Sequence, residues 1–97
     1  MLPIFWSAPA LDDLDRITDH IAEFDVYAAI TIHELIESAV HPVADHPYIF
    51  KRGRVPGTRE IVAHPNYIVI YRVQADYVEV LSVLHARQEY PPRTLAK

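Results

Sequence analysis

The side chains able to do chemistry gather in the second half of the chain: Arg59, Glu60, His64, Arg72, His85, Arg87 and Tyr90. Metal-free RNA cleavage needs a base for the ribose 2′-hydroxyl, an acid for the leaving oxygen and cations around the phosphate. These residues supply the types, with His64 or His85 as base and Arg59 or Arg87 as phosphate clamp. A structural role competes for each. His64 precedes Pro65 at a turn and His85 closes a strand, while Arg59 and Glu60, adjacent in a strand, point to opposite faces. A second group, Lys51, Arg52 and Arg54, places three cations within four positions. It reads either as a solvated loop or as a contact for phosphate or an acidic protein surface.

Other chemistries find no support. Gly53 and Gly57 are the only glycines and neither opens a helix, so there is no phosphate-cradling loop. His20, His33, His41 and His46 lack ligand spacing and read as solvated surface. With no cysteine, disulfides, zinc-thiolate sites and cysteine nucleophiles are excluded together. No metal and no cofactor is expected. Residues 1–6 lack the basic start of a signal peptide, and no apolar run reaches the roughly 18–20 residues of a membrane span. The chain therefore reads as cytoplasmic, with no membrane partner.

The elements that must position these residues follow from periodicity. Residues 2–6 form a short apolar run, and Pro3 confines it to an edge or a strand start. Ser7 can cap a helix with Pro9 in its first turn, and Asp12 and Asp13 lie near its positive end. Leu11, Leu14, Ile17 and Ile21 then follow helical spacing. Asp25 caps a second helix with a stripe of Ala29, Ile32, Ile36, Ala39, Val40 and Val43, which Pro42 and Pro47 stop between His41 and Asp45. The near-absence of a linker predicts an antiparallel helical hairpin. After a loop at 51–57 come strands at 58–64, 67–73 and 77–85, joined by turns at Pro65-Asn66 and Gln74-Ala75-Asp76. The expected fold is α+β, in the order β-α-α-β-β-β: an N-terminal strand, then a helical hairpin packed on a mostly antiparallel sheet, in a single domain over 1–97.

Two patterns bear on partners. The net charge of −4 is split, with −8 over residues 1–46 and +4 over 47–97, so one part of the surface is acidic and another basic. Alternation also makes both sheet faces apolar. Val78, Val80 and Leu84 oppose Leu81 and Val83 in the last strand, and Ile68 and Ile70 oppose Tyr67, Val69, Tyr71 and Val73 in the strand before it. The hairpin can cover only one face. The other is expected either to meet a partner or to be covered by the C-terminal tail and the 51–57 loop.

The stretches GTREIVAHPNYIVIYRV at 57–73 and VLHARQEYP at 83–91, with Trp6, Ala10, Asp13, Leu14, Ile17, Ile21, Ala28 and Ala29, resemble toxins of bacterial type II toxin–antitoxin modules, the RelE/ParE superfamily. The resemblance covers essentially the whole chain. It leans to the ParE branch: in residues 66–71, NYIVIY, tyrosine or asparagine stands where RelE-like mRNA endonucleases carry a basic residue. Overall acidity also suits a ribosome-bound nuclease poorly. The resemblance implies a non-enzymatic inhibitor of DNA gyrase that arrests growth, is neutralised by a cognate antitoxin and can enter a higher-order toxin–antitoxin assembly. The toxin alone is not expected to bind nucleic acid directly. The alternative is a ribosome-dependent ribonuclease of the RelE type using Arg59, His64, His85 and Arg87. The antitoxin is expected on Tyr67, Val69, Ile70, Tyr71, Leu81 and Val83, and the target on Lys51, Arg52, Arg54, Arg87 and Tyr90.

Overall fold

A computed structural model describes residues 1–91. The first strand, β1 (Ile4–Trp6), ends at Ser7, whose hydroxyl accepts a hydrogen bond from the Ala10 amide at 3.2 Å and so starts α1 (Ala8–Ala22). The chain turns sharply through 23–25, and the Asp25 carboxylate accepts from the Ala28 amide at 3.0 Å to start α2 (Val26–Val40). Pro42 cannot continue α-helical hydrogen bonding, and the chain tightens there into a 3₁₀ turn, His41–Ala44. Three strands follow: β2 (Arg59–His64), β3 (Tyr67–Val73) and β4 (Val78–His85).

The sheet order is β1-β4-β3-β2, with β1 parallel to β4 and the other pairs antiparallel. The expected α+β order is thus observed. The core lies between the hairpin and one sheet face. Ala10 and Leu14 of α1 and Ile36 and Val40 of α2 meet Val69, Tyr71, Val78, Val80 and Val83.

Strict alternation does not survive along β4. Ile70 pairs with Ser82 but Tyr71 pairs with Val80, so Leu81 is an extra residue opposite the step. Such a bulge resets which side each later residue faces. Val83 therefore joins Val78 and Val80 under the helices, and Leu84 joins Ile68 and Ile70 on the opposite face. This overturns the expected grouping of Leu84 with Val78 and Val80.

The second face is closed at its centre but not along β2, where Val62, paired with Ile68, is 60% exposed. Ile68, Ile70 and Leu84 are buried, with Leu81 and Tyr90 packed against them. Tyr90, in the stretch after β4, is part of the cover over Ile70. Of the six residues expected to meet an antitoxin, Val69, Tyr71 and Val83 are core residues beneath the hairpin, and Ile70 lies with Tyr90's cluster at 0% exposure. Only Tyr67 and Leu81 remain partly accessible.

Asp13 also departs from expectation. α1 has no acid in its first turn. Asp13 instead turns to β4, accepting from the Ser82 hydroxyl at 2.8 Å and the Val83 amide at 3.0 Å. β1 stops pairing at Val80. Beyond it the Ser7 amide donates to the Val80 carbonyl at 2.9 Å, and then Asp13 takes over. The start of α1 thus completes the edge that the three-residue β1 is too short to cover.

Candidate functional surfaces

At one end of the sheet, cross-strand register lines up His64, Tyr67 and His85 on three neighbouring strands. Tyr67's ring lies 5.7 Å from that of His64 and 5.5 Å from that of His85. Each imidazole uses Nδ1 as an acceptor, His64 from the Asn66 amide at 3.0 Å and His85 from the Arg87 amide at 3.1 Å. That arrangement places any single ring proton on Nε2 and leaves Nε2 as the nitrogen facing a ligand.

Arg59 does not belong to this group. It starts β2, five residues from His64, a separation of about 16 Å along an extended strand. Its Nη1 donates to the carbonyls of Phe50 at 2.7 Å and Tyr48 at 3.3 Å, and its guanidinium lies 4.9 Å from the Tyr48 ring centroid. Arg59 thus anchors the segment before β2. Among the ribonuclease candidates the structure brings together His64, His85 and the backbone of Arg87, and separates them from Arg59.

The basic loop divides in two. Arg54 folds onto Glu60, whose side chain is only 1% exposed. The carboxylate accepts from the Arg54 amide at 2.9 Å, from Nε at 3.2 Å and from Nη2 at 3.3 Å. The same guanidinium lies 5.7 Å from the centre of the Tyr90 ring. Burial raises the Tyr90 phenol above its ordinary value and the nearby Glu60 charge adds to this, with Arg54 opposing both. Two of the expected target contacts, Arg54 and Tyr90, are therefore committed within the chain. Lys51, Arg52 and Arg87 are exposed.

A cleft of about 410 Å³ opens beside Arg52 and Arg59, walled by Tyr48, Pro56, Thr58 and Val73. A groove of about 430 Å³ runs between the helices, lined by Ala22, Val26, Ala29 and Ile30 and by the acids Asp19, Glu34 and Glu37. His33 lies 3.0 Å from Glu37 in that lining. Beyond the groove the hairpin tip holds out Phe24 and Tyr27, which are 80% and 84% exposed. This apolar surface is absent from the expectations above. Val26 and Ile30 fall off the core stripe of α2 yet are as apolar as its members, and that was the available signal. No helix among the described residues is long and apolar enough to cross a membrane.

Comparison with known proteins gives a consistent picture. The family model described as "ParE toxin of type II toxin-antitoxin system, parDE" matches residues 4–90. The Y4kP protein of Sinorhizobium fredii is 40% identical over 89 residues, covering 91% of this chain and 92% of its own. Toxin RelE2 of Caulobacter vibrioides is 32% identical over 88 residues, covering 89% and 97%. Among solved structures, a chain of the chromosomal ParDE system from P. aeruginosa superposes with a TM-score of 0.79 at 22% identity, over 88% of this chain and 96% of that one. The E. coli DinJ-YafQ toxin–antitoxin complex contains a similar chain, with a TM-score of 0.59 at 12% identity over 87% and 91%. With this match along nearly its whole length, and the strand, hairpin and meander in place, the chain belongs to the ParE toxin family of type II toxin–antitoxin systems.

Proposed function

We propose that this toxin acts in the cytoplasm as a non-enzymatic inhibitor of DNA gyrase, arresting replication until a cognate antitoxin neutralises it, and so stabilises the replicon that carries the module. The observation that carries the reading is the dispersal of the charged groups. Arg59 is bound to backbone carbonyls at the far end of β2 from His64, and Arg54 is bound to Glu60. Phosphoryl-transfer catalysis depends on preorganised cations at the developing charge, and these two arginines are organised around something else. A net charge of −4 favours a protein target over a polyanion.

For the antitoxin, the surface that suits an amphipathic segment is the hairpin groove with Val26 and Ile30, together with the accessible parts of Tyr67 and Leu81. Ile70 itself contributes only if Tyr90 is displaced, whereas Val62 on the same face is already exposed.

A second reading retains weight because of one arrangement: His64 and His85 flank Tyr67 with both Nε2 atoms available, next to Arg87. Each Nε2–H can donate to a substrate oxygen, and a base role at Nε2 would require the ring to release its Nδ1 bond to the backbone. A ribosome-dependent ribonuclease would use the pair in that way, with Arg87 as the local cation.

Purified toxin in a gyrase supercoiling reaction, with and without antitoxin, separates the two. Inhibition reversed by antitoxin is expected. Full supercoiling activity at saturating toxin, with mRNA cleaved on induction in cells, would transfer the function to the His64–Tyr67–His85 end.

A further inference from the structure

The cleft at the head of β2 has a chemistry of its own. Among the described residues Arg16, Arg54 and Arg72 each lie against a carboxylate, from Asp13, Glu60 and Glu79 respectively. The two arginines lining the cleft do not. Arg59's partners are two carbonyls and the Tyr48 ring, which hold the guanidinium in place without cancelling its charge. Arg52 is exposed, has no carboxylate partner among the described residues, and is held next to Arg59 because their backbones form an isolated antiparallel bridge. Glu60, adjacent to Arg59 in sequence, is turned to Arg54 instead. The result is a recess with two uncancelled positive charges, one of them immobilised, and walls formed in part by Tyr48, Pro56 and Val73.

We propose that this cleft receives an acidic segment of a partner protein, with a carboxylate side chain lodged between Arg52 and Arg59 and an apolar neighbour packed on Tyr48, Pro56 and Val73. A planar guanidinium pairs with carboxylate in a directed, charge-assisted geometry. The pre-bound Arg59 has already given up much of its rotamer freedom, which lowers the entropic penalty of capture. Nucleic acid fits less well. A phosphate chain requires cations spread along a track, whereas these converge on one recess, and residues 1–46 carry −8. The identity of the partner rests on the reading of this chain as a protein-binding toxin; the carboxylate chemistry of the cleft does not.

The test is fluorescence anisotropy with the full chain and two probes, a labelled peptide of alternating glutamate and leucine, and a labelled oligothymidylate of equal charge. The peptide is expected to bind saturably and at least tenfold more tightly than the oligonucleotide. Arg52→Gln and Tyr48→Ala, both at exposed positions, should each weaken the peptide by about tenfold with the circular dichroism spectrum unchanged. Arg72→Gln, which removes the same charge from a carboxylate-paired arginine, should change it less than twofold. No saturable peptide binding, equal weakening by Arg72→Gln, or preference for the oligonucleotide would each overturn the assignment. Gyrase inhibition is measured separately. Loss of supercoiling inhibition in the wild type with peptide binding intact would refute the gyrase reading and leave the cleft standing.

Discussion

Replacing Arg54 with methionine should destabilise this domain more than any other single substitution at a surface cation. The replacement keeps the Arg54 amide as a donor to Glu60 but removes the bonds from Nε at 3.2 Å and Nη2 at 3.3 Å. Stripping the partner from a fully buried ion pair costs about 3–5 kcal/mol. Arg54's side chain is 45% exposed, so water can reach part of the vacated space, which brings the expectation to about 2–3 kcal/mol. For a chain of 97 residues that corresponds to a fall in Tm of roughly 10–20 °C. The loss should reappear as coupling. In Arg54→Met with Glu60→Met, the stranded carboxylate is gone and apolar atoms fill both positions, so the double variant should lie about 2 kcal/mol above the sum of the single effects. Urea unfolding followed by fluorescence of Trp6, the only tryptophan, gives both quantities, provided the slope with denaturant is unchanged. An Arg54→Met variant within about 0.5 kcal/mol of wild type, or strictly additive single effects, would show that the pair is a surface ornament and that Tyr90 is held by something else.

Other consequences can be checked alongside. Asp13→Ala removes the acceptor of both the Ser82 hydroxyl and the Val83 amide, which should cost about 2 kcal/mol and speed hydrogen exchange at Val83; protection equal to wild type would refute its role as edge closure. Ile70→Asp places a charge at a fully buried site and should unfold the chain, whereas Ile30→Asp at the exposed hairpin should leave the fold intact and weaken antitoxin binding in calorimetry at least tenfold. Unchanged affinity in Ile30→Asp would move the antitoxin off the groove. Burial raises the phenols of Tyr71, against the opposing charge of Arg59, and of Tyr90 above their ordinary value of 10.0. Unfolded phenols then lose protons first, so their stabilising contribution is complete below pH 10 and declines as pH climbs through the folded values. Tyr71→Phe with Tyr90→Phe should flatten that alkaline fall in the urea midpoint, and an unaltered slope would remove these two groups as its source.

The elements were legible in the sequence because each is marked by a local chemical requirement. Ser7 and Asp25 offered side-chain oxygens to unpaired helix amides, Pro42 removed a donor, and the apolar period changed after Pro47. The pairing of the faces was not legible. One extra residue, Leu81, inverts the rest of β4, and nothing in the composition of residues 78–85 distinguishes a bulge from continued alternation. Which charged side chains are engaged within the chain was hidden for a related reason. Residue type revealed that Arg54 and Arg59 are cations, but whether a cation faces solvent depends on a partner brought from elsewhere. Glu60, adjacent to Arg59 and on the opposite face, turns out to be that partner for Arg54. That His64 and His85 flank Tyr67 at one end of the sheet depends on cross-strand register, which residue type does not reveal.

These corrections bear on how a domain of this size can present a partner surface at all. A sheet apolar on both faces needs two covers, and two helices make only one. Here the second cover reaches only the centre of its face, where Tyr90 sits against the cluster of Ile68, Ile70 and Leu84 and is flanked by Arg54, itself fixed by a buried acid. The cations that looked like target contacts are thus partly the fasteners of that cover. What is left for other molecules is surface with no internal use: apolar side chains on the outer side of the hairpin, Val62 on β2, and arginines that no carboxylate among the described residues neutralises. The acidic groove and the basic cleft carry opposite charge on separate elements, α1–α2 and the approach to β2. One partner with both a basic amphipathic segment and an acidic one, or two partners of different charge, could therefore engage the toxin without competing for the same atoms.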